Sequence, residues 1–79
     1  MKEFVEFIVK HLVNDPTQVR VLESVGERTN IYEIRVVPHD MNKVIGKGGR
    51  TVTALRILVN AVCQKSGKYA EVEILEPRE

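Results

Sequence analysis

Three of the four residues in Gly46-Lys47-Gly48-Gly49 are glycine, and helical patterns stand on both sides of them. A turn between helices needs one glycine at most. Three of them strip away every Cβ except that of Lys47, so backbone N–H groups can come close to a ligand. A helix opening at Arg50 would aim its unbonded N–H groups and the positive end of its dipole at the same spot. Lys47 projects from the tip and Arg50 from the first turn, which adds positive charge where a phosphate would lie. P-loop and dinucleotide-binding patterns do not fit, because Gly46-Lys47 is followed by glycine rather than Ser or Thr and no strand leads into the loop.

Charge is gathered around that loop. The formal net charge is only +1, yet residues 41–68 hold six bases (Lys43, Lys47, Arg50, Arg56, Lys65 and Lys68) and no acid. All eleven acids fall in the remainder, with the other six bases. A locally positive segment on a near-neutral chain is expected of a surface that meets phosphates. The alternative is a solvated helix face that lacks acids.

Phe4, Val5, Ile8, Val9 and Leu12 recur at three- and four-residue spacing and predict an amphipathic helix over residues 2–13, ended by Asn14-Asp15-Pro16. Residues 19–25 and 31–37 are rich in β-branched side chains, and Gly26-Glu27-Arg28-Thr29-Asn30 supplies a turn between them. Tyr32, Ile34 and Val36 alternate with Glu33 and Arg35, so one face of this hairpin is buried and the other wet. Pro38 stops the second strand, and Asp40 is placed to cap a short helix, Met41–Ile45. After the glycine loop a longer helix, Arg50–Gln64, carries Val52, Leu55, Val59 and Val62 on its core stripe. Ser66-Gly67 ends it. Tyr69–Leu75 is the last strand, with Ala70, Val72 and Ile74 on one face, and Pro77-Arg78-Glu79 is a short tail. Two helices between the second and third strands form a crossover long enough to leave those strands parallel. The expected fold is therefore α+β, in the order α-β-β-α-α-β. It is a three-stranded mixed sheet with three helices on one face, and the face bearing Glu33, Arg35, Glu71 and Glu73 stays wet.

Seventy-nine residues give room for one domain, spanning 1–79, with a small core; at this size only about 60% of the unfolded surface is buried. Few residues remain for a cleft, which counts against an enzyme. Apolar runs such as Ile57-Leu58-Val59 are too short to cross a membrane, and the first six residues lack the apolar region of a signal peptide. Cys63, the single cysteine, can form no internal disulfide, and no metal set can be built around it; helical spacing places it near the core. A cytoplasmic chain without metal, cofactor or small-molecule substrate is expected. His39-Asp40 is explained by a helix cap and its neighbour, His11 by a helix surface, and Glu71 with Glu73 by a solvated sheet face. None of these makes a catalytic group.

Val44-Ile45-Gly46-Lys47-Gly48-Gly49-Arg50 resembles the GXXG signature of K-homology (KH) domains, in which the loop between two helices clamps about four single-stranded nucleotides. An aliphatic pair before the loop, bases around it, an amphipathic helix after it and the α-β-β-α-α-β order are similar to the bacterial, type II KH fold over nearly the whole chain. The size, the stretch Pro38-His39-Asp40-Met41-Asn42-Lys43-Val44-Ile45-Gly46-Lys47 and the later Ala54-Leu55-Arg56 resemble the stand-alone KhpA (YlqC-like) family. Asn42 departs from it, since glycine is expected there. The resemblance implies a single-stranded RNA-binding protein, acting as an RNA chaperone or post-transcriptional regulator, with phosphates held at Gly46, Lys47, Gly48 and Gly49. Lys43, Lys47 and Arg50 would supply charge, and Arg56 would do so further along the helix. Val44, Ile45 and Val52 would form an aliphatic floor for bases, with plain core packing as the alternative reading for Val44 and Val52 and an open choice at Ile45. It also suggests a larger KhpB (Jag-like) KH partner and RNA regulation linked to cell growth, cell shape and cell wall biogenesis. The competing function is a protein-interaction subunit in which RNA binding is secondary. No aromatic residue falls within residues 41–68, so stacking platforms are absent from that segment and binding should depend strongly on salt.

The long helix is apolar on more than one side. Ala54, Ile57, Leu58 and Ala61 stand at i, i+3, i+4 and i+7, roughly opposite the core stripe. Either the first helix packs over this second stripe, or the stripe is a partner surface for a homodimer or a heterodimer with another KH protein.

Overall fold

The spacing of Val5 and Val9 sets the first helix, α1 (Lys2–Leu12), against the sheet in the computed structural model, which describes residues 1–75. The expected tail at Pro77-Arg78-Glu79 lies outside the described residues. Only Val5 and Val9 of α1 are fully enclosed; Phe4 and Phe7 are exposed. The stripe that α1 buries is thus narrower than its apolar pattern. His11, on the surface as expected, lies against Phe7 with ring centroids 4.4 Å apart and the rings tilted by 43°.

Strands β1 (Arg20–Val25) and β2 (Thr29–Arg35) pair antiparallel, from Arg20 opposite Arg35 to Val25 opposite Asn30. The turn is tighter than the sequence pattern indicated, closed by Gly26 N–H donating to Thr29 O at 3.0 Å. Thr29 and Asn30 therefore enter the ladder, and β2 begins and ends two residues earlier than expected. Strand β3 (Tyr69–Leu75) pairs parallel with β2, giving the order β1-β2-β3. Between β2 and β3 come α2 (Met41–Ile45) and α3 (Arg50–Gln64). Val21, Tyr32, Ile34, Ala70 and Val72 turn toward the helices and are buried. Burial, with a further push from the neighbouring Glu23, drives the Tyr32 hydroxyl well above the usual phenol range, so this ring stays neutral in the core.

In α3 the buried residues are Val52, Leu55, Val59 and Cys63, while Val62 is 44% exposed, contrary to its expected place in the core. Eleven residues make three helical turns, so Cys63 returns to the direction of Val52 and Val62 falls about 80° away. The second stripe is bare. Ile57 and Leu58 are 65% and 50% exposed, and Ala54 and Ala61 are exposed with them. The alternative in which α1 covers this stripe is thereby excluded.

Asp40 holds these parts in register. It occupies the position before α2 but makes no cap bond to that helix, contrary to expectation. Its carboxylate is completely enclosed and reaches back to the end of α1, accepting Asn14 N–H at 3.1 Å and Asp15 N–H at 3.0 Å. Pro16 explains the arrangement: the chain leaving α1 is extended there, and its two amides have no helical carbonyl to meet. Burial alone would raise the carboxyl pKa. The two amides, helped by His39 and Lys43, outweigh it and hold the pKa below the usual carboxylate range.

A carboxyl whose pKa is lowered by folding stabilises the fold above its unfolded pKa, and that contribution disappears as pH falls through the folded value. Asp40→Asn should accordingly lower the thermal midpoint at pH 7 by roughly 5 °C. In urea unfolding followed over a pH series, the gap between parent and variant should narrow below the ordinary carboxyl pKa of about 3.9. A gap that persists undiminished in strong acid would show that the charge is not what binds α1 to α2.

Candidate nucleic-acid interface

The loop between α2 and α3 divides its glycines between two tasks. Gly46 has φ 78° and ψ 170°, a backbone region open essentially to glycine alone. A Cβ there would collide with Thr51 Oγ1 and lie 2.8 Å from the Thr51 backbone nitrogen. Gly46 therefore lets α2 and the first turn of α3 close on one another. Gly48 (φ 64°, ψ 20°) and Gly49 (φ 76°, ψ 14°) are left-handed, and a Cβ at either would meet nothing within 4 Å. These two bend the chain outward and keep its solvent side clear.

Hydrogen bonds fix that shape. Gly46 N–H donates to Asn42 O at 2.8 Å, and Gly49 N–H to Gly46 O at 3.1 Å. Arg50 N–H bonds Lys47 O. Because the first bond of this tight turn starts at Gly49, the N–H groups of Lys47 and Gly48 have no carbonyl within the turn to meet. Gly49 caps α3 without a side-chain cap bond. Asn42, where glycine was expected, is accommodated simply: no residue other than glycine has a positive φ among the described residues, and Asn42 sits within α2.

Lys43, Lys47 and Arg50 are exposed around this loop. Val44 is completely buried and Val52 is 6% exposed, so core packing accounts for both side chains and neither lies open as a floor for bases. Ile45 is half-buried and remains the aliphatic side chain beside the loop.

Arg56 is also exposed but is directed elsewhere, about 10 Å along α3 from Gly49. Its Nε donates to Val72 O at 3.2 Å, while Ala70 N–H donates to Asn60 Oδ1 at 2.8 Å. Two side chains of α3 thus meet backbone groups on the free edge of β3. An open groove of about 300 Å³ runs there, lined by Arg56, Asn60, Ala70, Glu71, Val72 and Glu73. Nothing in the sequence pattern alone marks this groove. The signal was the i, i+4 pair Arg56 and Asn60, two polar residues flanking the core stripe that become legible only once β3 is known to be an edge strand.

Residues 2–74 match the family model described as KhpA/KhpB, KH domain. The RNA-binding protein KhpA of Clostridium perfringens is 49% identical over 75 residues, covering 95% of this chain and the whole of that relative. The RNA-binding protein KhpA of Aquifex aeolicus is 46% identical over 76 residues, 96% of each chain. That of Chlamydia pneumoniae is 42% identical over 78 residues, covering 99% of this chain and all of the relative. No solved structure matches the chain. The match runs from the first helix into the last strand, and the chain belongs to the KhpA/KhpB family of KH domains.

Proposed function

We propose that this chain binds single-stranded RNA by holding its sugar–phosphate backbone at residues 46–49, as an RNA chaperone or post-transcriptional regulator. The loop geometry carries this reading. Gly48 and Gly49 keep the outer side of the backbone clear, the Lys47 and Gly48 amides have no partner within the turn, and three exposed bases surround them. The relatives' common name, RNA-binding protein, supports it.

In this mechanism phosphate oxygens accept from the Lys47 and Gly48 amides, at the positive end of the α3 dipole. Lys43, Lys47 and Arg50 replace the counterions released from the RNA. Glu71 and Glu73 on the far side of the α3–β3 groove repel phosphate, so the backbone keeps to the loop side and the bases turn toward β3, past Arg56. Ile45 offers apolar contact beside the loop. Every step is binding, and none makes or breaks a bond.

Replacing Lys47 and Gly48 together by Asp places two carboxylates where phosphates would sit. Aspartate is among the residues that enter the left-handed region, so Gly48→Asp is tolerable to the backbone. Binding to a short single-stranded RNA should weaken at least about tenfold, or 1.4 kcal/mol, with the circular dichroism spectrum unchanged. For the parent, three or four neutralised phosphates give a slope of log K against log salt of roughly −2 to −3. Parent-like binding by the double variant, or a flat salt response, would refute the loop as the site.

A specific observation favours a second property, self-association. The outer face of α3 exposes Ile57 and Leu58 between two alanines, and small flanking residues let another helix approach closely. We take the occupant to be the same face of a second copy. Light scattering of the parent at micromolar concentration should give a dimer, and Ile57→Glu should give a monomer of unchanged helix content. A monomeric parent would remove the homodimer, and a larger KH protein recovered on this face would identify the heterodimer instead.

A further inference from the structure

We propose that Tyr69 is a stacking platform for a base beyond the stretch of RNA held at the loop; this rests on the RNA-binding reading above. Arg56 meets Val72 and Asn60 meets Ala70, so α3 and β3 run side by side in opposite directions. Residues further along α3 therefore face the start of β3. Arg56, Asn60 and Gln64 stand at i, i+4 and i+8 and share the helix face toward that edge. One turn past Asn60, at Gln64, lies a separate hollow of about 230 Å³ lined by Gln64, Gly67, Lys68 and Tyr69. A strand leaving the loop along α3 reaches this hollow after about 22 Å, the rise from Gly49 to Gln64.

Tyr69 is 64% exposed, so its ring does little for the core. Its backbone is nonetheless fixed, because Tyr69 N–H donates to Arg28 O at 2.8 Å at the start of the β2–β3 ladder. Lys68 is held beside it, with Nζ donating to Gly26 O at 2.9 Å and close to Asn30 Oδ1 at 3.4 Å. Lys65 and Arg28 are exposed at the same end of the molecule. Glu71 lies two residues along the strand on the ring's own face and keeps phosphates from advancing further over the sheet. A positioned, solvent-facing aromatic ring beside this hollow, with cations around it, suits a base and its phosphate better than an apolar protein surface.

The chain contains two tyrosines and no tryptophan, and Tyr32 is completely buried, so a base stacking on Tyr69 is read directly as quenched tyrosine emission. Tetra-adenylate and hepta-adenylate are the probes, with affinity measured by anisotropy of end-labelled RNA. The parent should bind the heptamer about tenfold more tightly than the tetramer, and saturating heptamer should quench its emission. Tyr69→Ala should lose that gain with length, while Tyr69→Phe, which keeps the ring, should retain it. The stacking role is overturned if the parent shows no gain with length, if its emission is unchanged at saturation, or if Tyr69→Ala keeps the full gain. The double loop variant separates the two readings. If it loses both oligonucleotides while Tyr69→Ala keeps the gain, only the platform fails; if it binds both as the parent does, the RNA-binding loop itself fails.

Discussion

The carboxylate of Asp40 ties the end of the first helix to the start of the second, and the position of the glycine loop depends on that tie. α2 has only five residues and little helical stability of its own. It stays in place because Val44 is sunk in the core below it and because Asp40 gathers the Asn14 and Asp15 amides behind it. Leaving those two amides unbonded in a part-buried setting would cost more than a typical hydrogen bond contributes. A neutral side chain could accept them less strongly than a carboxylate does. The loop is therefore anchored at its base by Val44 and Asp40.

Charge is arranged to match. The acid-free run of residues 41–68 folds into α2, the loop and α3, with Lys43, Lys47 and Arg50 around the loop and Arg56 at the groove, while Glu71 and Glu73 border the groove from β3. The two signs meet across that groove without forming an ion pair among the described residues. In the proposed binding mode the loop cations draw the phosphates and the two glutamates form a border that they avoid.

Much of this was legible in the sequence because local chemistry decided it. The glycine triplet, the bounds of α2, α3 and β3, and the parallel crossover all follow from spacing and turn residues. Features set by distant neighbours were hidden. Asp40 reads as a cap because capping is the local use of such a residue, whereas its partners lie twenty-five and twenty-six residues earlier. Val62 satisfies a loose helical pattern, but the three-turn repeat over eleven residues gives the place to Cys63. Val44 could be read as floor or core, and only the depth of α2 in the fold decides for core. Tyr69 falls just past the basic segment, and its place beside the hollow at Gln64 depends on β3 lying beside α3 in the opposite sense.

In the proposed mode a strand of RNA is held at residues 46–49 and crosses toward the α3–β3 edge. Amide chemical shifts recorded during titration with a short single-stranded RNA test it most directly. The largest changes should fall on Lys47, Gly48, Gly49, Arg50 and Thr51, with smaller ones along Arg56, Asn60 and Val72, while Leu22 and Glu33 on the open sheet face stay still. Changes centred on that open face, with the loop amides unmoved, would contradict it.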